Sequence, residues 1–176
     1  RIIVINKKNA GLPAARNTGI RKATGDYICH LDGDDFWKNG YLEYLNSTLI
    51  NNKVDILFGC GRFDYYGDSK YNKEFYYKIN QSFGDKNVLI KYLMDDKHEI
   101  PASAWSNVYN TSFIKNQNLY FTEGLTWSED TDNYFNVLLN CKSFAFMNEI
   151  YYVYRKNNIT AMTKEYSYKN IFSNIF

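Results

Sequence analysis

The chain has 176 residues, of which 45% are hydrophobic and 23% charged; that balance fits one folded domain with one substantial core and excludes a disordered, collagen-like or low-complexity chain. Its 21 Lys and Arg against 19 Asp and Glu leave a formal charge of +2, too small for a protein that holds nucleic acid by phosphate attraction, and no apolar run is long enough to span a bilayer. The cysteines, Cys29, Cys60 and Cys141, are odd in number, far apart and without Cys-x-x-Cys spacing, as expected of reduced, buried thiols.

The sequence opens on Arg1 and the β-branched run Ile2, Ile3, Val4 and Ile5, with neither an initiator Met nor a signal-peptide layout, and a strand is expected over 1–6. Pro13 at a first helical position, Ala14, Ala15 and Ala23 along the segment, and Gly25 as a left-handed closing residue predict a short helix. Residues 26–31 read as a strand that stops at Asp32, Gly33, Asp34 and Asp35, so a parallel strand-helix-strand crossover is expected. Ligands gather at the C-terminal ends of such strands, where this acidic cluster falls.

Tyr41, Leu42, Leu45, Leu49 and Ile50 trace a helical stripe, and residues 54–59 supply another strand. Residues 62–78, aromatic and charged around Gly67, predict a hairpin; Val88, Leu89, Tyr92 and Leu93 mark a helix, and residues 104–109 a strand. Thr126 and Glu129 have capping-box spacing ahead of Tyr134, Phe135, Leu138 and Leu139, so a helix is expected to begin beside Glu129 and Asp130. Residues 143–147 and 150–155 read as two strands, and the tail from Glu165 as a helix.

Asp32, Asp34 and Asp35 crowd hard oxygen ligands onto a turn that Gly33 lets bend. Convergent carboxylates attract a divalent cation, which in turn bridges a diphosphate; an acidic turn capping the next helix explains the cluster equally well. Glu129 and Asp130 are, by themselves, carboxylates suited to the first turn of a helix. Arg16 either pairs with Asp32 or a diphosphate oxygen, or is an ordinary exposed helix residue. Trp105 and Trp127 are candidates for a sugar-stacking platform, Trp127 beside Glu129 and Asp130 the better one, while core packing explains Trp105 equally well. His30 and His98 receive no catalytic role.

Three consecutive blocks carry a resemblance: Asn9, Gly11, Ala15, Arg16, Asn17, Gly19 and Ile20; then Ala23, Gly25, Tyr27 and Ile28; then Leu31, Asp32, Asp34 and Asp35. Downstream stand Phe121, Glu123 and Gly124, the pair Glu129 and Asp130, and Tyr152, Tyr154 and Arg155 followed by Thr160. The chain thus resembles the family 2 glycosyltransferases of the GT-A fold over nearly its whole length. Their patterns are N-x-G-x-x-x-A-R-N-x-G-I, A-x-G-x-Y-I and L-D-x-D-D, with F-x-E-G, E-D and Y-x-Y-R segments further on.

The resemblance implies an α/β fold, a GT-A-like mostly parallel central sheet flanked by helices with a smaller mixed acceptor-side region. In that frame residues 1–60 are the second half of a nucleotide-sugar and metal subdomain and residues 61–176 an acceptor-side subdomain, with the family's opening strand-helix-strand unit missing. It further implies a metal-dependent inverting transferase that moves a hexosyl or N-acetylhexosaminyl group from a nucleotide diphosphate sugar, expected to be a UDP-sugar, to a carbohydrate or lipid-linked glycan acceptor. Asp34 and Asp32 would hold Mn²⁺ or Mg²⁺, with Asp32 also near the ribose and Asp35 assisting. Asp130 would be the base, with Glu129 beside it, while Arg16, Trp127 and Arg155 would contact substrate, Arg155 as a loop over 157–163 closes. Surface-polysaccharide or lipid-linked oligosaccharide synthesis in the cytoplasm follows, at the inner membrane face through parts outside this chain. A non-catalytic nucleotide-sugar or glycan-binding module and a nucleotidyltransferase are the alternatives, the latter lacking a Gly-rich turn with a following basic residue.

Overall fold

The computed structural model describes residues 2–65, 69–75, 86–93 and 102–156. Parts of the expected hairpin, His98, the loop over 157–163, Thr160 and the expected tail helix lie outside these residues.

A six-stranded sheet forms the centre: β1 (Tyr27–Cys29), β2 (Phe36–Trp37), β3 (Ile56–Tyr65), β4 (Lys73–Phe75), β5 (Val108–Asn110) and β6 (Phe144–Lys156). The strand order is β1-β5-β3-β6-β2, with β4 paired to β3. Helices α1 (Gly11–Lys22), α2 (Tyr41–Asn51), α3 (Lys86–Leu93), α4 (Thr111–Asn116) and α5 (Glu129–Asn140), with a 3-10 turn at Ser69–Tyr71, complete the described elements. β3 shows why helices cover both faces of the sheet. Ile56 and Phe58 pack into one core with Ile20 of α1, Ile114 of α4 and Val137 and Leu138 of α5, while Leu57 between them packs into another with Tyr41, Leu45 and Leu49 of α2.

The α/β class is as expected, but the sheet is mixed rather than mostly parallel. The β3-β6 ladder is parallel, whereas β5 inserts antiparallel between β1 and β3, and β2 and β4 pair antiparallel with β6 and β3. β1 and β3 are therefore separated in the sheet by β5, which comes later in the chain than both. No strand forms at 2–6: Ile2, Ile3 and Val4 are 92%, 75% and 79% exposed, and β-branched propensity without a paired neighbour does not make a strand.

Other boundaries also moved. α1 ends at Lys22 with Ala23 donating its N–H to Gly19 and Ile20 carbonyls, so Gly25 is not its cap. Residues 104–106 are a turn ahead of the short β5. Ser106 presses its carbonyl so close to Gly59 that a Cβ there would stand 1.7 Å from the oxygen. The two strands expected around 143–155 are one, β6, whose register against β3 shifts between Phe58 and Cys60; Asn148 and Glu149, the residues that interrupt the apolar run, fall in that bulge. No helix of the described residues is long and apolar enough to cross a membrane.

Candidate active site

α1, the turn after β1 and the start of α5 converge on one guanidinium. Arg16, its side chain 6% exposed, donates from Nη2 to Asp32 Oδ1 at 3.0 Å and from Nη1 to Asp130 Oδ1, with Glu129 Oε1 at 3.8 Å from Nη1. The Phe121 ring lies 5.2 Å from the guanidinium carbon and shields the pair from one side. Burial disfavours the guanidinium charge, but Asp130, Asp32 and Glu129 together hold Arg16 above its ordinary pKa. Three carboxylates on one cation leave the site with surplus negative charge.

Asp130 is also held from the other side: its Oδ2 accepts the Ala104 N–H at 3.2 Å. Burial raises its carboxyl above the usual range, with Arg16 and the Ala104 N–H pulling the other way; Glu129 is likewise raised, chiefly by burial. A helix N-terminus favours an ionised carboxylate, but at Asp130 burial outweighs that effect. The capping box is absent as well. α5 starts at Glu129 as expected, but its N-cap is Ser128, left-handed at φ 58° and without a side-chain cap, so Thr126 takes no part.

The acidic turn closes with the Asp35 N–H on the Asp32 carbonyl at 3.1 Å, and β6 holds it from behind. The Tyr152 hydroxyl donates to Asp35 Oδ2 at 2.7 Å and accepts the Asp32 N–H at 3.2 Å, while the Arg155 N–H donates to Asp35 Oδ1 at 2.9 Å. Both Asp35 oxygens are therefore directed to β6. Arg155 donates from Nε to the Asp34 carbonyl, which brings this sequence candidate to the turn itself.

The hard oxygens of Asp34 and Asp32 fit a hard divalent cation. Among the described residues no group of three or more His, Cys, Asp or Glu side chains is arranged to hold one.

Trp127 is half-buried immediately before Ser128. Trp105, 6% exposed, is core: it stacks on Tyr152 at 4.4 Å and Tyr154 at 5.4 Å. His30 packs edge-on to Phe121 at 5.6 Å, and burial, aided by Arg16, pushes its pKa down to about 3, which leaves a neutral packing ring. A cleft of about 370 Å³ bordered by Lys53, Asn110, Phe113, Gln117 and Lys142 lies at the opposite end of β3 and contains none of these carboxylates.

Two contributors had no role assigned from sequence. Asn17, 1% exposed, donates to the Phe121 carbonyl at 2.9 Å and Glu123 Oε1 at 2.9 Å and accepts the Phe121 N–H at 2.8 Å, pinning to α1 the segment that leads into α5. Tyr152 is the other. Both stand in motif blocks, which was the signal available; their partners are fixed only by the fold.

The family model for glycosyl transferase family 2 matches residues 1–110. The chain is 30% identical over 163 residues to EpsJ of Bacillus subtilis (strain 168), an uncharacterized glycosyltransferase, covering 89% of this chain and 45% of EpsJ. It is 31% identical over 165 residues to glycosyltransferase GlyA of Streptococcus pneumoniae serotype 4, covering 88% of this chain and 22% of GlyA. A crystal structure of S. aureus TarS 1–349 in complex with UDP-GlcNAc superposes with a TM-score of 0.68 at 19% identity, over 93% of this chain and 44% of that one; the likeness is one of fold, the curled mixed sheet of a GT-A-type enzyme. The chain thus spans less than half the length of each of these proteins. With the family model covering more than half of its residues, the chain belongs to glycosyl transferase family 2.

Proposed function

We propose that this chain carries catalytic machinery of a metal-dependent, inverting glycosyltransferase that moves a hexosyl or N-acetylhexosaminyl group from a UDP-sugar to a carbohydrate or lipid-linked glycan hydroxyl. The observation that carries the reading is Arg16 joining Asp32, on the turn after β1, to Asp130, at the start of α5. Family membership supports the reaction class. The UDP-GlcNAc named with TarS supports the donor, and a relative named as acting on a diphosphoundecaprenol-linked acceptor, matched at 33% identity over 57 residues, supports the lipid-linked acceptor. Synthesis of a surface polysaccharide or lipid-linked oligosaccharide in the cytoplasm, with peripheral membrane attachment through other segments, belongs to the same proposal.

In this reading the donor diphosphate lies against the Asp32–Asp35 turn. Mn²⁺ or Mg²⁺, when bound, neutralises charge on the leaving diphosphate, with Asp34 and Asp32 as the oxygens this chain offers. The acceptor oxygen bonds to the anomeric carbon from the face opposite the diphosphate, the anomeric C–O bond breaks with its electron pair going to the diphosphate, and Asp130 takes the acceptor proton. Arg16 keeps the Asp130 carboxylate oriented. Ala104 does the same from the other oxygen, and a pKa raised by burial makes Asp130 a stronger base than an exposed aspartate. Arg155 and Trp127 flank donor and acceptor.

A panel of nucleotide sugars with Mn²⁺, read as nucleoside diphosphate release with and without glycan acceptors, tests the proposal. Acceptor-stimulated release of UDP is expected. Pyrophosphate as the product would make the protein a nucleotidyltransferase, and binding without turnover a non-catalytic module.

A further inference from the structure

Tyr152 is 2% exposed on β6, opposite Gly61 of β3 and Trp37 of β2. Its hydroxyl has two partners in the acidic turn, the Asp32 N–H at 3.2 Å and Asp35 Oδ2 at 2.7 Å. An amide N–H only donates, so the phenolic oxygen accepts from Asp32 and its single proton goes to Asp35. Burial, reinforced by the Asp35 carboxylate, holds the phenol far above its ordinary range, so that proton stays in place at neutral pH.

The ring has a second task. It stacks on Trp105 at 4.4 Å, and Trp105 directly follows Ala104, whose N–H holds Asp130 Oδ2 at 3.2 Å. Gly61 leaves room for this arrangement: a Cβ there would meet Phe75 at 2.3 Å and Trp105 at 3.0 Å. One side chain thus touches the turn bearing Asp32 and Asp34 with its hydroxyl and the segment steadying Asp130 with its ring.

We infer that Tyr152 is a positioning residue for the donor: its hydroxyl sets the Asp32–Asp35 turn in the form that receives the diphosphate, and its ring ties that turn to the Ala104–Trp105 backbone that orients Asp130. This rests on the functional reading above. A buried tyrosine of purely structural use would be replaceable by phenylalanine without effect on ligand affinity, because the ring would still fill the same space.

The test uses the full chain with Tyr152→Phe, Asp35→Asn and the double variant, and Tyr151→Phe as a control, since the Tyr151 hydroxyl bonds to exposed Glu149 instead. UDP affinity with Mn²⁺ by calorimetry, donor KM, kcat and thermal unfolding are measured. Loss of a hydrogen bond to a charged group predicts that Tyr152→Phe raises UDP Kd and donor KM by about tenfold to 150-fold. The kcat at saturating donor should stay within about twofold, because transition-state contacts are untouched. Asp35→Asn, which weakens the Tyr152 bond and the Arg155 N–H bond, should raise UDP Kd in the same direction, and the effects should be less than additive in the double variant, since the two variants share the Tyr152–Asp35 bond. Should Tyr152→Phe fail to fold, Asp35→Asn carries the measurement alone. A lowered melting temperature with unchanged Kd, or additive effects in the double variant, overturns the inference. A wild-type chain that neither binds UDP with Mn²⁺ nor releases nucleoside diphosphate overturns the functional reading itself. Wild-type binding with an unaffected Tyr152→Phe overturns only the role of Tyr152.

Discussion

Arg16 donates a hydrogen bond to Asp130, 114 residues further along the chain, while its other terminal nitrogen holds Asp32 at 3.0 Å. A planar fork reaches two carboxylates at once, which an ammonium on a flexible stem does not do with the same geometry. Removing the fork leaves Asp32, Glu129 and Asp130 facing one another without their shared cation.

Arg16→Met is therefore expected to destabilise the fold by about 2–4 kcal/mol, toward the cost of breaking a buried ion pair from one side. Arg16→Lys should recover part of the stability and little of the activity. Urea denaturation at pH 7 and again at pH 5 checks the cause: the deficit should shrink at the lower pH, where carboxyls with raised pKa values begin to take up protons and their repulsion falls. A deficit independent of pH would assign the loss to packing against Phe121 rather than to charge.

Asp130→Asn should keep donor binding and lose transfer, because an amide keeps the shape and cannot take the acceptor proton. General-base contributions of about 10²–10⁴-fold set the expected fall in kcat, with donor KM little changed. Burial raises the Asp130 pKa in the folded protein, so activity should decline with falling pH at a midpoint above the ordinary aspartate value. The same shift means that the folded state binds this proton more tightly than the unfolded chain. The stability Asp130 contributes is therefore greatest at low pH and declines as pH rises through its folded pKa. Glu129→Gln is the comparison: rate should survive it. If the two variants exchange their effects, the base is Glu129.

How much of this was legible before the fold was known differs by element. The α1 motif, the acidic turn and the start of α5 stand where their residues predict, because helix formers, Gly-bearing turns and first-turn carboxylates act over a few neighbours. The β1-β5-β3 order was not legible. β5 is three residues long, and its place depends on Tyr109 meeting both Ile28 and Ile56, contacts that no local pattern encodes. In the site, Arg16, Asp32 and Asp130 were named from sequence, yet whether Arg16 pairs with them depends on the fold bringing the turn after β1 and the first turn of α5 to the same residue of α1. Tyr152 and Asn17 were hidden for the same reason: a hydroxyl or amide has no visible purpose until its partners arrive from elsewhere.

Asp34→Ala is expected to abolish metal-dependent donor binding and spare the fold. Asp34 stands between Asp32, which Arg16 holds, and Asp35, which β6 holds, on the turn where the proposed function puts the cation and the diphosphate. Removing one carboxylate from a crowded turn also relieves repulsion, and the melting temperature should hold or rise slightly. Titration of UDP with and without Mn²⁺ decides the matter: wild type should gain affinity from the ion and Asp34→Ala should not. An equal gain in both would remove Asp34 from the site.

Gly59→Ala tests the link between the sheet and the segment that steadies Asp130. The added Cβ would stand 1.7 Å from the Ser106 carbonyl oxygen and 3.3 Å from the end of Met147, and the first of these is backbone that cannot swing away. Gly59 also donates its own N–H to Asn107 Oδ1 at 3.3 Å, so a shift of the 103–107 turn would cost that bond too. Overpacking of this kind costs about 1–3 kcal/mol and more where backbone must move, so a loss at or above the upper end is expected in thermal or urea unfolding. The displaced turn carries Ala104, whose N–H holds Asp130, and kcat should therefore fall more than donor affinity does. Gly33→Ala is the matched control, since nothing lies within 4 Å of a Cβ there and its φ is not in the left-handed range. If Gly59→Ala unfolds no more easily than Gly33→Ala, the Ser106 turn is not seated against β3 as described, and its hold on Asp130 loses its foundation.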